Sequence, residues 1–409
     1  MDAATGSTVL FLINDLRTGG AERTLVNYLN HLRRLQPVLV LINPQAELLA
    51  ELSPSVEVLV LSRRASSAEV GAAQPSPGPA GPAYRRGRPR GQMPLELPGL
   101  LVRAWRLARL ARTHRCSAVS TFLNRSHTIA LTAKLLFAPR LRVVINVHEM
   151  LSQHLQIHFA AVERQLMKWF IRWTFPRAAS IVVVSEGVRR DLVQHFRLDP
   201  DRITVVHNPI DVVQVRERAA EPAPEISNGV TRPLIVAVGR LVHLKGLDLL
   251  IRAVGRLPPQ LRGTVFVIGE GEERSRLEHL ISRLGMSDRV RLLGHRSNPW
   301  KYMAKSDVVA LCSRTEAFPN VIGEALALSR PVVATYCSEG VREYLNGGEC
   351  GLLVPPEDVD ALAQALTRVL TEAPLRRRFR REGLRRVEIF DIARTVERYE
   401  SLLARICSA

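Results

Sequence analysis

The sequence predicts an α/β protein made of two parallel-sheet domains in tandem. Three observations carry this. The chain has 409 residues, more than one hydrophobic core ordinarily serves, so two domains of about 200 residues are expected. In both halves short apolar runs alternate with stretches of helical spacing, the pattern of strands joined by crossover helices. Between the halves, residues 217–232 are polar and contain proline, as a connection would. The domains that follow are 1–215, a linker 216–232, a second domain 233–390, and a C-terminal helix 391–409 that packs back on the first.

Residues 8–14 (TVLFLIN) read as a buried strand. A loop ending in Gly19-Gly20 leads to a helix with Leu25, Tyr28, Leu29 and Leu32 on one face. Strand, diglycine, helix is a corner that lets a ligand approach backbone, although a plain tight turn needs glycine too. Strands follow at 37–43 and 56–61. Residues 66–98 are rich in proline and glycine and almost free of large apolar side chains, so a flexible loop is expected there. A helix resumes at 100–112, with arginines at 103, 106, 109 and 112 spiralling around it rather than forming one basic face. Residues 118–122 and 143–147 are strands. The second ends in Asn146-Val147-His148-Glu149, and open α/β sheets place ligands at such carboxyl ends. Leu155, Phe159, Val162, Leu166, Trp169 and Trp173 trace a helical stripe. Core packing explains it first and a lipid-facing surface second. Strand 181–184 and strand 203–207 complete the half.

The second half opens with strand 234–238, then Gly239-Arg240, Lys245-Gly246 and a helix 247–257. Two fixed cations in one loop can clamp a diphosphate; they can also be plain solvated charges. Strands follow at 264–268, 290–293, 307–312, 332–335 and 351–354. The stretch around which the chain is organised is 311–331, LCSRTEAFPNVIGEALALSRP. Glu316 sits in a loop and Glu324 in the following helix, with Pro319 in the first turn between them, where its missing N–H costs nothing. The N–H groups of Asn320, Val321 and Ile322 then point from a helix N-terminus, which is an anion site. A phosphate there and a hydroxylated ring near each carboxylate make a nucleotide-sugar site; an ordinary helix with an acidic first turn has the same pattern.

Composition narrows the classes. The five cysteines are odd in number and scattered without metal-type spacing, which points to a reducing compartment and no disulfide framework. No signal-peptide pattern and no run of about 18 apolar residues is present, so a cytoplasmic protein is expected, peripheral on a membrane where it meets one. The net charge is +18, and residues 63–115 hold eleven arginines against two acids, a net of +9. An anionic membrane surface suits that excess, with Arg85, Arg86, Arg88 and Arg90 among the contributors; arginine-rich composition is the other explanation. Nucleic acid is not expected as a partner, because aromatics hardly interleave the basic residues.

Taken together, GRLVHLKG, IGEGEE, VRLLGH, SRTEAFPNVIGEALALSRPVVAT and GLLVPPED resemble, in order, the retaining glycosyltransferases of family 4, group 1. NDLRTGGAER, VSEGV and HNPID extend the resemblance over nearly the whole chain outside the proline-rich loop. The resemblance implies the GT-B fold, two Rossmann-like doubly wound domains facing a cleft. It implies that Gly19 and Gly20 border acceptor and phosphates and that His148 stands at the reacting centre. Arg240 and Lys245 would hold the donor diphosphate, Glu316 the sugar and Glu324 the ribose. The backbone of Phe318, Pro319, Asn320 and Val321 would line the sugar and β-phosphate. It further implies a metal-independent, retaining transfer with no cofactor beyond the nucleotide sugar as co-substrate. The expected donor is a UDP-sugar carrying a hexose or N-acetylhexosamine, and the acceptor a glycan or lipid-linked glycan. A GDP-sugar transferase such as a mannosyltransferase, a phosphorylase or epimerase, and a non-catalytic polyanion-binding protein are the competing functions. Two Asp-x-Asp strings, at Asp199 and Asp358, read as helix caps rather than metal ligands.

Overall fold

The computed structural model describes residues 6–61, 97–227 and 229–408. Most of the proline-rich stretch, with Arg85, Arg86, Arg88 and Arg90, lies outside the described residues. The chain forms two compact units. The first comprises the described residues up to Pro209 together with the C-terminal helix from Ile392; the second is Ile210–Asp391.

The first unit is a seven-stranded parallel sheet in the order β3-β2-β1-β4-β5-β6-β7. The strands are β1 Ser7–Ile13, β2 Leu35–Leu41, β3 Glu57–Val60, β4 Ala118–Phe122, β5 Arg142–Val147, β6 Ser180–Val183 and β7 Ile203–Val205. Their near-continuous apolar sequences fit a sheet covered on both faces. Helix α1 (Gly20–His31) follows β1, and α2 (Leu97–Thr113) returns the chain from β3 to β4. Helix α3 (Asn124–Leu136) links β4 to β5; α4 (Leu151–His158) and α5 (Ala161–Thr174) link β5 to β6; α6 (Glu186–Phe196) links β6 to β7. Helix α2 begins at Leu97, not near residue 100, so the end of the expected loop is helical. The expected continuous stripe from Leu155 to Trp173 is broken into α4 and α5: Phe159 and Ala160 are extended, and Glu163 Oε2 accepts from Ala160 N at 3.1 Å to start the second helix.

The C-terminal helix, α11 (Ile392–Ser408), closes the core of the first unit with Ile392, Val396, Tyr399, Leu402 and Leu403. Glu400 Oε1 accepts from the backbone N of Arg33, Arg34 and Leu35 at 2.8, 2.6 and 3.2 Å, which satisfies its buried charge.

The second unit is a six-stranded parallel sheet, β10-β9-β8-β11-β12-β13. Its strands are β8 Ile235–Val238, β9 Val265–Ile268, β10 Val290–Gly294, β11 Val308–Leu311, β12 Val332–Thr335 and β13 Gly351–Val354. Around it lie α7 (Leu247–Gly255), α8 (Asn320–Ala327), α9 (Val359–Thr371) and α10 (Ala373–Val387). Residues 216–232 are not extended throughout, since Val212–Ala219 and Pro224–Ser227 are helical. Each sheet has one place where the winding reverses: between β1 and β4, and between β8 and β11. Loops leaving these strands diverge there and open a crevice at the carboxyl edge.

Candidate active site

In the second unit the loops after β8 and β11 flank that reversal, and they carry the expected residues. Arg240 is exposed just after β8, and Lys245 stands at the end of the same loop. Gly246 turns the chain into α7 with φ 58°, and a Cβ there would lie 1.9 Å from the Cys312 carbonyl oxygen. The glycine therefore brings the β8 loop into backbone contact with the end of β11. Across that contact, Lys245 Nζ donates to Glu316 Oε1 at 2.5 Å, and Ser313 Oγ donates to the same oxygen at 2.7 Å. Glu316 is 12% exposed and Lys245 25%, so the pair is half-buried and reachable. Cys337 lies in the same field: burial pushes its thiol up to about 12, with the Glu316 charge adding and Lys245 opposing.

Arg314, one residue before Thr315, organises both loops. Its guanidinium donates to Asp248 Oδ1 and Oδ2 at 2.8 and 3.0 Å, and to the His243 carbonyl at 2.7 Å. It also reaches Glu357 Oε1 at 2.5 Å, and its backbone N donates to Leu244 O at 2.8 Å. Burial pushes the Asp248 carboxyl up, but the hydrogen bond and charge of Arg314 outweigh it and hold that carboxyl below its usual range. Sequence reading assigned Arg314 no role, since its partners lie far off in the chain.

Pro319 is the N-cap of α8, with φ −76° and ψ 114°, rather than a first-turn residue. Asn320 therefore opens the helix. Ile322 N donates to Pro319 O at 3.1 Å, so the expected anion-facing donors narrow to the amides before it. Phe318 is buried and stacks on Tyr344 with centroids 3.8 Å apart, fixing the loop by its side chain and leaving only backbone for a ligand. Val321 and Glu324 are half-buried on the helix, Glu324 about one turn in. Both Asp-x-Asp strings cap: Asp199 accepts from Asp201 N at 2.9 Å and Asp358 from Ala361 N at 2.8 Å. Among the described residues no group of three or more His, Cys, Asp or Glu could hold a metal ion.

In the first unit, Gly19 is the N-cap of α1 and Gly20 its first residue, at the carboxyl edge of β1. His148 follows β5 on the same edge, stacked on Phe122 at 5.2 Å. Its Nδ1 is buried with no hydrogen-bond partner. Burial pulls its pKa down to about 4, against the Glu149 charge and the Asn208 hydrogen bond, so the ring is neutral at pH 7. A cluster that sequence reading missed stands beside it. Glu149 accepts from Asn124 Nδ2 at 2.5 Å and meets His154 Nδ1 at 2.8 Å. Burial pushes Glu149 up, but His154, His158 and Asn124 together bring it below its usual range. Asn124 follows Leu123, whose φ of 69° is a strained backbone for a branched residue at the point where the winding reverses.

Residues 18–214 match Glycosyltransferase Family 4, and residues 221–386 match Glycosyl transferases group 1. A relative in Campylobacter jejuni is 34% identical over 309 residues, covering 75% of this chain and 81% of its own. It is named N-acetylgalactosamine-N,N'-diacetylbacillosaminyl-diphospho-undecaprenol 4-alpha-N-acetylgalactosaminyltransferase. The alpha-D-kanosaminyltransferase of Streptomyces kanamyceticus is 30% identical over 58% of this chain and 63% of its own. Anabaena HepE, solved with UDP and glucose, superposes with a TM-score of 0.76 at 21% identity, over 98% of this chain and 100% of that one. WaaG, a lipopolysaccharide-biosynthesis glycosyltransferase, gives 0.69 at 18% identity over 96% and 99%. On the strength of the matched segments, the Campylobacter relative and two doubly wound parallel sheets, the chain belongs to the group 1 glycosyltransferases and is a sugar-transferring enzyme of GT-B fold.

Proposed function

We propose that the protein moves an N-acetylhexosamine or hexose from UDP to a lipid-linked or polysaccharide acceptor, with retention of the anomeric configuration and without a metal. The observation that carries this reading is the Lys245–Glu316 pair beside the N-terminus of α8, at the reversal of the second sheet. A departing nucleoside diphosphate needs positive charge as its bond to the sugar breaks. Lys245, Arg240 and the amides at the start of α8 supply it, in place of a divalent ion. Glu316 is held by Ser313 and Lys245 and can accept from sugar hydroxyls; Glu324, about one turn into α8, is suited to the ribose. Neutral His148 is suited to hydrogen-bond the transferring sugar or acceptor, and Gly19 and Gly20 let either approach backbone.

The named activity of the Campylobacter relative supports an aminosugar and a diphospho-lipid acceptor. HepE, solved with UDP and glucose, supports a uridine donor. The test is hydrolysis of UDP-, GDP- and ADP-sugars by the purified protein in EDTA. Release of UDP, undiminished by the chelator, is expected. Preference for a GDP-sugar would move the donor to the mannosyltransferase class, and strict need for Mn²⁺ or Mg²⁺ would overturn the cation-and-amide account.

A further inference from the structure

Two inner strands of the first sheet break their own apolar pattern. Strand β4 reads AVSTF and β5 reads RVVINV. Strands covered on both faces ordinarily carry near-continuous apolar residues. Ser120 and Asn146 are nevertheless buried, 0% and 2% exposed, so each needs a hydrogen-bond partner inside the core. Asn146 Nδ2 donates to Ser120 Oγ at 2.8 Å and to the Thr121 carbonyl at 3.1 Å. The third member comes from the far end of the chain: the Tyr399 hydroxyl lies 2.5 Å from Ser120 Oγ.

Tyr399 is fully buried on α11. Of the residues with which that helix enters the core, Ile392, Val396, Tyr399, Leu402 and Leu403, it alone carries a polar group. Burial pushes its phenol well above the ordinary value, against the Ser120 and Asn146 hydrogen bonds, so the hydroxyl keeps its proton. Its ring stacks on Tyr28 of α1 with centroids 4.3 Å apart. Phenylalanine would supply the same stack and the same apolar area. An apolar core would also do without Ser120 and Asn146 at little cost in stability. The hydrogen-bonded trio is therefore poorly explained by packing alone.

Its position gives it a second use. Two routes lead from the trio to the His148 ring at the carboxyl edge. Asn146 stands two residues before His148 on β5. Ser120 stands two residues before Phe122 on β4, on the same face, and the Phe122 ring stacks on His148. Phe122 also pairs in register with Asn146. Holding Ser120 against Asn146 thus fixes the ends of both strands beneath the imidazole.

We propose that Tyr399 is a positioning residue for His148: its hydroxyl, delivered by the C-terminal helix, locks Ser120 to Asn146 and so sets the place of the His148 ring. The inference rests on the proposed function only for what His148 meets, the transferring sugar or the acceptor.

The experiment compares Tyr399→Phe, Ser120→Ala and Leu403→Ala in the full chain. Tyr399→Phe keeps the ring and its stack and removes the hydroxyl; Ser120→Ala removes the same bond from the other side, so a failure of one to fold leaves the other. Leu403→Ala loosens the same helix without touching the trio. The first readout is the NMR signal of the His148 ring protons, assigned by its loss in His148→Gln. The Phe122 ring current displaces that signal, and the displacement should shrink in Tyr399→Phe and Ser120→Ala. The second is donor hydrolysis, whose kcat should fall roughly tenfold in both while KM for the donor stays within about twofold. Leu403→Ala should lower the thermal midpoint yet leave signal and kcat as in wild type, measured well below that midpoint. Three results would overturn the proposal: an unmoved His148 signal in Tyr399→Phe and Ser120→Ala, a moved signal with wild-type kcat, or the same changes in Leu403→Ala. A moved signal in a protein whose wild type hydrolyses no donor would remove the transferase reading and leave the placement of His148 by Tyr399 standing.

Discussion

Replacing Lys245 by Ala is expected to lower turnover by roughly two to three orders of magnitude. The ammonium lies within hydrogen-bonding distance of Glu316, at the joint where Gly246 brings the β8 and β11 loops together. In the structure it pairs with Glu316; under the proposed function, charge grows on the departing diphosphate oxygens as their bond to the sugar breaks, and the ammonium would meet it. Its contribution is therefore larger in the transition state than in the ground state, so kcat should fall more than affinity for the donor. Lys245→Arg should keep the charge but lose the compact geometry and recover only part of the rate. The fold should persist, because Lys245 is partly exposed and its loop is held by Arg314. Wild-type kcat in Lys245→Ala, in a protein with unchanged circular dichroism, would remove the assignment.

Arg314→Ala is expected to be the most destabilising single change at the site. Its guanidinium and Asp248 are 14% and 15% exposed, and the two form a bidentate pair. Removing one partner leaves a carboxylate with little water and no counter-charge, and unties the His243 carbonyl. The loss should be roughly 2–4 kcal/mol, less than for a fully buried pair because both groups keep some contact with water. Activity should fall with stability, through misplacement of Lys245 and Glu316, which makes Arg314 a positioning residue. Asp248→Asn in the Arg314→Ala background should restore part of the urea midpoint, since the orphaned charge is then gone. No recovery in that double variant would mean that the packing of Arg314, rather than its charge, holds the loops.

Much of this site was legible in sequence because its signals are local. Diglycine at Gly19-Gly20, a loop acid followed by a helix acid, and apolar runs ending in glycine report strand, turn and helix without needing distant partners. The role of Arg314 was hidden because Asp248, His243 and Glu357 are brought to it only by the order β8-β11-β12-β13. The amide of Ile322 was misjudged for the opposite reason, a one-residue shift of the helix start that turns Pro319 from first turn to cap. The stripe on α5 was visible as periodicity, but periodicity reports which residues share a face and not what covers it. Hence core packing was the first explanation for Trp169 and Trp173 and an outward-facing surface the second, and both rings are found in the open.

The central claim, transfer with retention at a site built from cations and backbone amides, meets its most direct test in the anomeric configuration of the first product. A UDP-sugar of α configuration, the protein, EDTA and a diphospho-lipid acceptor would be incubated to low conversion and the new linkage read by proton NMR. The account predicts an α-linked product formed in the presence of the chelator. A β-linked product would contradict it.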